Sequence, residues 1–117
     1  MRKFRAWDSD ANEFAYSEQE SEFYTWGFKD GKLKCWGWEM EYPQDEPPYP
    51  VSYELEKPEQ FTGLTDKNGK DIYEGDKWLP GFNDLPEIIV EFNEGKFNIS
   101  TYYRKDGKVT GNIHDDE

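Results

Sequence analysis

Cysteine and histidine are almost missing: among 117 residues, Cys35 and His114 are the single examples of each. One cysteine and one histidine, far apart in the chain, do not supply the four ligands of a structural zinc site. A lone cysteine also excludes an intrachain disulfide. Nucleophilic catalysis is equally poorly served, because a nucleophile needs a base within hydrogen-bond reach. Cys35 lies between Lys34 and Trp36 with no histidine near it in sequence, and His114 is the only imidazole base the chain offers. No Gly-rich phosphate loop occurs, since the ten glycines sit singly in apparent turns. Neither a secretory leader nor an apolar run near the ~20 residues of a membrane helix is present. A soluble protein of the cytoplasm is therefore expected, with no membrane association and no cofactor.

Basic residues are scarce too. Fourteen Lys and Arg stand against 26 Asp and Glu, for a formal charge of −12. Contacts to phosphate need Lys and Arg, so direct nucleic acid binding is not expected. Such a surface keeps the chain soluble and repels anionic membranes. Mean hydropathy is very low, which together with high net charge commonly marks disorder. The aromatics reverse that reading, because Phe, Tyr and Trp make up 18% of the residues. A buried ring contributes about 150–250 Å², so rings can stand in for the missing Leu, Ile and Val. An ordered chain with an aromatic core is expected.

Turn signals organise that chain into hairpins. KFRAW (residues 3–7) reads as a strand, and the polar residues 8–12 turn it back through Phe14 and Tyr16. Residues 17–22 form an acidic connector without periodicity. Residues 23–42 carry the clearest local pattern, two aromatic-rich runs joined by Asp30-Gly31, a pair suited to a type I′ turn. That turn sets Trp26 opposite Cys35, Phe28 opposite Leu33 and Tyr24 opposite Gly37. Side chains alternate along a strand, so Phe23, Trp36, Trp38 and Met40 fall on the other face. Both faces are apolar. One can join a core, while the second must meet another layer of the chain or another protein. Phe23, Trp36, Trp38 and Met40 are the candidate interface.

Four prolines within residues 43–50 predict an extended linker or exposed loop. Residues 51–56 follow as a strand or, alternatively, a helical turn over 53–59 stopped by Pro58. Next comes QFTGLTDKNGKDIYEGD (residues 60–76), in which Asn68-Gly69 reads as a two-residue hairpin turn between Phe61/Leu64 and Ile72/Tyr73/Trp78. Residues 79–86 are a Gly- and Pro-rich loop, EIIVEF (87–92) a β-branched strand, and FNISTYY (97–103) its returning partner after a turn at 93–96. A further turn at 105–108 leads into a last strand at 109–114. Hairpins at this spacing predict a mainly β fold, an antiparallel meander with a small barrel-like or sandwich core and little helix. The expected division is an N-terminal hairpin subdomain over 1–58, with its Pro-rich linker at 43–50, and a small barrel-like subdomain over 59–117.

The order of these motifs resembles the YopX family of small proteins encoded by phages and prophages. KFRAWD (3–8) resembles its N-terminal signature. QFTGLTDKNGKDIYEGDKW (60–78) is similar to its central block, usually FTGLKDKNGKEIYEGD followed by an apolar residue. VTGNIHDDE (109–117) is similar to its closing segment, with His114 where the family has Tyr. The block residues Phe61, Gly63, Leu64, Asp66, Asn68, Gly69, Ile72, Tyr73, Gly75 and Asp76 are read as structural. The resemblance implies a phage-derived β protein and brings no catalytic residues with it.

Within the central block, Asp66 to Asp71 imitate the start of a calcium loop. The spacing fails, because an EF-hand needs Gly at its sixth position and Glu at its twelfth, where this chain has Asp71 and Lys77. Asp66 and Asn68 are instead expected to cap the turn through their own backbone. Gly75 before Asp76 predicts a bulge or sharp bend, with Asp76 accepting backbone hydrogen bonds at the corner. Asp71, Glu74 and Asp76 make a candidate weak cation site. No catalytic constellation is visible, so the favoured expectation is a non-enzymatic protein–protein interaction module, with self-association as one form of it. The charge of −12 motivates an alternative, an acidic DNA mimic that occupies a host DNA-binding protein.

Overall fold

The computed structural model describes residues 3–81, 85–101, 103 and 106–115, with the backbone alone at 100 and 101. The chain is nearly all antiparallel β, and it divides into two compact units, Lys3–Pro58 and Glu59–Glu117. Each has its own core.

In the first unit, β1 (Phe4–Asp8) pairs with β2 (Glu13–Tyr16). Their turn is held by Asp8, whose Oδ1 accepts the N–H of Asp10 at 3.0 Å and of Ala11 at 3.1 Å. A three-stranded meander follows in the order β3 (Tyr24–Lys29), β4 (Lys32–Glu41), β5 (Tyr49–Glu54). Asp30 and Gly31 both have positive φ, 54° and 78°, as a type I′ turn demands. The turn sets the expected register: Tyr24 faces Gly37, Trp26 faces Cys35 and Phe28 faces Leu33. Prolines end sooner as a loop than their count suggests. Tyr49 and Pro50 already belong to β5, with Pro50 opposite Met40, and a proline is tolerated there because β5 is an edge strand of this sheet. Residues 51–54 are thus strand, and the alternative helical turn does not form. Ala6, Ala15, Cys35 and Leu55 are the buried centre, packed by Tyr24, Trp26 and Tyr53. Small residues sit beneath large rings, as an aliphatic-poor chain requires.

The second unit begins with β6 (Glu59–Thr65) and β7 (Asp71–Tyr73). Their turn differs from the two-residue Asn-Gly form. Only Gly69 is left-handed, at φ 78°, because Asp66 dictates another geometry. Its Oδ1 takes the N–H of Asn68 and of Lys70, and its carbonyl takes that of Gly69 at 3.0 Å. Asp66 Oδ2 also reaches the N–H of Val109 at 3.1 Å. Burial pushes this carboxyl up, but hydrogen bonds from Val109, Lys70 and Asn68, with the Lys70 charge, hold it below the usual range.

β8 (Asp76–Leu79) lies between β9 (Ile88–Ile89) and β12 (Lys108–Asn112), while β10 (Phe92–Asn93) pairs with β11 (Lys96–Phe97). The expected continuous strand over 87–92 is broken at Val90. Val90 instead bonds the bend before β8, accepting from Gly75 N–H and donating to the Asp76 carbonyl, each at 2.8 Å. The expected returning strand stops after Phe97, where Asn98–Thr101 form a 3₁₀ turn. Asn98 causes it, donating from Nδ2 to the Ile89 carbonyl and accepting at Oδ1 from Glu91 N–H, both at 2.9 Å. That turn drives Ile99 into a core with Ile72, Trp78 and Val90, all fully buried. The turn expected at 105–108 and the loop at 79–86 lie partly outside the described residues.

Candidate functional site

Alternation along β4 exposes one face of the meander. Phe23, Trp36, Trp38 and Met40 share that face, joined by Pro50 on β5. Phe23 is 66% exposed, Trp38 41% and Met40 44%. Trp38 is fixed by its indole N–H, which donates to Thr25 Oγ1 at 2.9 Å. Trp36 is more buried, since its ring lies over Gly27, where an added Cβ would meet Cζ3 at 3.4 Å. A shallow pocket of about 350 Å³ opens among Phe23, Trp38, Met40 and Pro50, flanked by Glu22 and Glu39. Glu39 lines the pocket from between Trp38 and Met40 but has the opposite strand parity, so the floor itself is apolar and suits an apolar side chain.

The opposite face of the same sheet supplies its rigidity. Gly37 faces Tyr24 on one side and Tyr53 on the other, and both phenols reach over to Asp8. Each hydroxyl stands 2.8 Å from Asp8 Oδ2, and the Tyr24 hydroxyl is also 2.8 Å from Glu13 Oε1. Burial pushes the Asp8 carboxyl up, but the hydroxyls of Tyr53 and Tyr24 and the N–H groups of Ala11 and Asp10 outweigh it and hold it below the usual range. Burial, then the bond to Asp8, raises both phenols well above their ordinary value. A Cβ at Gly37 would lie 2.4 Å from Tyr53 Cζ. Gly37→Ala is therefore expected to cost about 1–3 kcal/mol by overpacking, read from urea unfolding followed by circular dichroism.

The candidate catalytic groups are otherwise engaged. Cys35 is fully buried, and burial together with the Asp8 charge pushes its thiol up to about 12. His114 is buried, with Nε2 2.7 Å from Glu59 Oε2 across 55 residues of chain. This pair sits beside the bend at Gly75, φ 88°, where an added Cβ would come within 2.9 Å of the Glu59 carboxylate. The expected corner is present: Asp76 Oδ2 accepts Tyr73 N–H at 2.8 Å. Asp71, Glu74 and Asp76 are not brought together as a cation site. Asp76 serves that corner, Glu74 Oε1 accepts Gln60 N–H at 3.2 Å, and no metal-binding group of three or more His, Cys, Asp or Glu exists among the described residues.

The remaining block residues are packed as parts of the fold. Phe61 faces Tyr73 with ring centroids 5.5 Å apart, Leu64 packs on the second core, and Gly63 (φ 88°) lies at the irregularity between Phe61 and Thr65. Two residues carry more than sequence reasoning assigned them. Asp8 read as one of several turn acids, and Glu59 had no motif at all. Their partners lie 16 to 55 residues away, so no local pattern marks them.

A family model and a solved structure place this architecture among known proteins. A family model described as YopX protein matches residues 3–117. Among solved structures, the crystal structure of protein EF1440 from Enterococcus faecalis is similar, with a TM-score of 0.57 and 21% sequence identity. The likeness covers 99% of this chain and 95% of that one, and it establishes a shared fold. No curated protein matches the sequence.

Proposed function

The chain belongs to the YopX family, and from that premise we propose that it is a phage- or prophage-encoded accessory protein acting as a non-enzymatic protein-binding module. The observation that carries this reading is the exposed cluster of Phe23, Trp38 and Met40 around the Pro50 pocket. Tyr, Trp and Met are the residue types concentrated at interface centres. The partner is a protein that offers an apolar anchor from a basic surface, complementary to the acidic chain as a whole. A net charge of −12 steers a basic partner toward the surface and makes association salt-dependent. The full burial and raised thiol of Cys35 support a role without thiol catalysis.

Photo-crosslinking from Met40 in the bacterial host tests the reading, with Trp38→Glu as the paired variant. One protein should be captured from the face, and purified binding should weaken at least tenfold in Trp38→Glu and fall with salt. An acidic decoy would bind nucleic-acid-binding proteins with steep salt sensitivity and no dependence on Trp38. That outcome, or the absence of any crosslink, overturns the proposal.

A further inference from the structure

The free side of β3 has the makings of a self-pairing edge. Trp38 N–H donates to the Phe23 carbonyl at 3.0 Å, which fixes the alternation of the antiparallel ladder. Phe23, Thr25, Gly27 and Lys29 turn their backbone groups toward β4, so Tyr24, Trp26 and Phe28 turn theirs away. Among the described residues β3 is an edge of its sheet, paired with β4 alone. It carries no proline and no bulge, the usual devices that blunt an edge. Phe28 is 75% exposed on it.

A cleft of about 250 Å³ lies beside the start of this strand, between residues 13–16 of β2, the polar connector at 19–21, and residues 23 and 24, with no residue of β4 in its wall. We infer that this edge pairs antiparallel with β3 of a second copy of the chain, about a twofold axis at Trp26, and that Phe28 of each copy enters the cleft beside Tyr24 of the other. Strand geometry selects the second copy as occupant. Outward-facing residues must meet outward-facing residues, so with Trp26 on the axis Tyr24 faces Phe28 of the second copy. On the other face, Phe23 then meets Lys29 of the second copy, a cation–π pairing. The two most exposed rings of this region, Phe28 and Phe23, both gain a partner in one register. Two three-stranded sheets become one six-stranded sheet, and the Trp38 faces of both copies are left open on it. The pairing shares Phe23 with the heterologous partner proposed above and leaves Trp38 and Met40 to it.

Charge gives the pairing an identifying sign. Each copy carries −12, and Glu22 meets Asp30 at either end of the register. Salt screens that repulsion, so dimerisation should tighten as salt rises, whereas binding of a basic partner weakens. Sedimentation velocity on the full chain over a dilution series at low and high salt is the first measurement. A dimer that strengthens with salt, and weakens at least tenfold in Phe28→Glu but not in Trp38→Glu, is expected. The double variant Phe23→Cys with Lys29→Cys checks the register, since directly opposed residues of this class stand about 4.5 Å apart between Cα atoms, within disulfide reach. Both positions are exposed, so the fold should tolerate the change. Oxidation should give a covalent dimer. A monomer at all salts, a dimer indifferent to Phe28→Glu, or a double variant that stays monomeric on oxidation would each overturn the inference.

Discussion

Asp8→Ala is expected to destabilise the Lys3–Pro58 unit by roughly 2–4 kcal/mol, because a buried carboxylate shared by several donors is lost. The carboxylate accepts from two tyrosine hydroxyls and two backbone N–H groups. Removing it withdraws an acceptor from four donors. The exposed N–H groups of Asp10 and Ala11 can turn to water, and Tyr24 keeps Glu13. The Tyr53 hydroxyl therefore bears the largest share, about 1–3 kcal/mol for a donor left unpaired while buried. The loss spreads beyond the turn. Tyr24 comes from β3 and Tyr53 from β5, so Asp8 ties the β1–β2 hairpin to two strands of the meander. Asp8→Asn keeps one acceptor oxygen and should lose about half as much. Urea unfolding gives the magnitude, and amide exchange across residues 24–41 and 49–54 tests the location.

The same network sets an acid limit. Asp8 and Asp66 are both held below the usual carboxylate range in the folded chain. An unfolded Asp titrates near 3.9, so the stability that each contributes is complete above that pH. It is lost as pH falls through the lower folded value. Wild type should lose stability steadily below about pH 4, and Asp8→Asn should show a shallower slope there. An unchanged slope would remove Asp8 from the account.

What was legible in the sequence follows from where the determining contacts lie. The hairpin over residues 23–42 was readable to the register, because Asp30-Gly31 permits one turn type and every side chain alternates from it. The corner at Gly75 and Asp76 was readable for the same local reason. Asn68-Gly69 misled, because the outcome depends on the Asp66 side chain and not on the pair alone. Residues 87–92 look like one strand, yet Val90 spends its backbone groups on Gly75 and Asp76, fifteen and fourteen positions earlier. Asn98 turns an alternating run into a 3₁₀ turn through bonds to Ile89 and Glu91. The candidate face was legible as a set, since Phe23, Trp36, Trp38 and Met40 share strand parity. That Trp36 would lie over Gly27 while Trp38 stayed open depends on packing, which parity does not contain.

Trp78→Ala is the counterpart of Asp8→Ala in the second unit, with an expected loss of about 3–5 kcal/mol. Trp78 sits on the middle strand of the β9–β8–β12 sheet and is fully buried. Tyr103 stacks on it with centroids 5.7 Å apart, and its ring lies so close to Gly107 that an added Cβ would stand 2.2 Å from Cζ2. Among the described residues, the core it completes has three other fully buried members, Ile72, Val90 and Ile99. A chain poor in aliphatics cannot collapse new side chains into the vacated volume, so the cavity cost should sit toward the upper end. Stability of a whole domain is about 5–15 kcal/mol, and one ring here therefore supports a large share of its unit. Trp78→Phe keeps an aromatic plane against Tyr103 and should lose less than half as much. Thermal unfolding with amide exchange at residues 72, 90 and 99 reads both variants. Equal losses in Trp78→Phe and Trp78→Ala would mean that the indole N–H, and not the filled volume, is what the core requires.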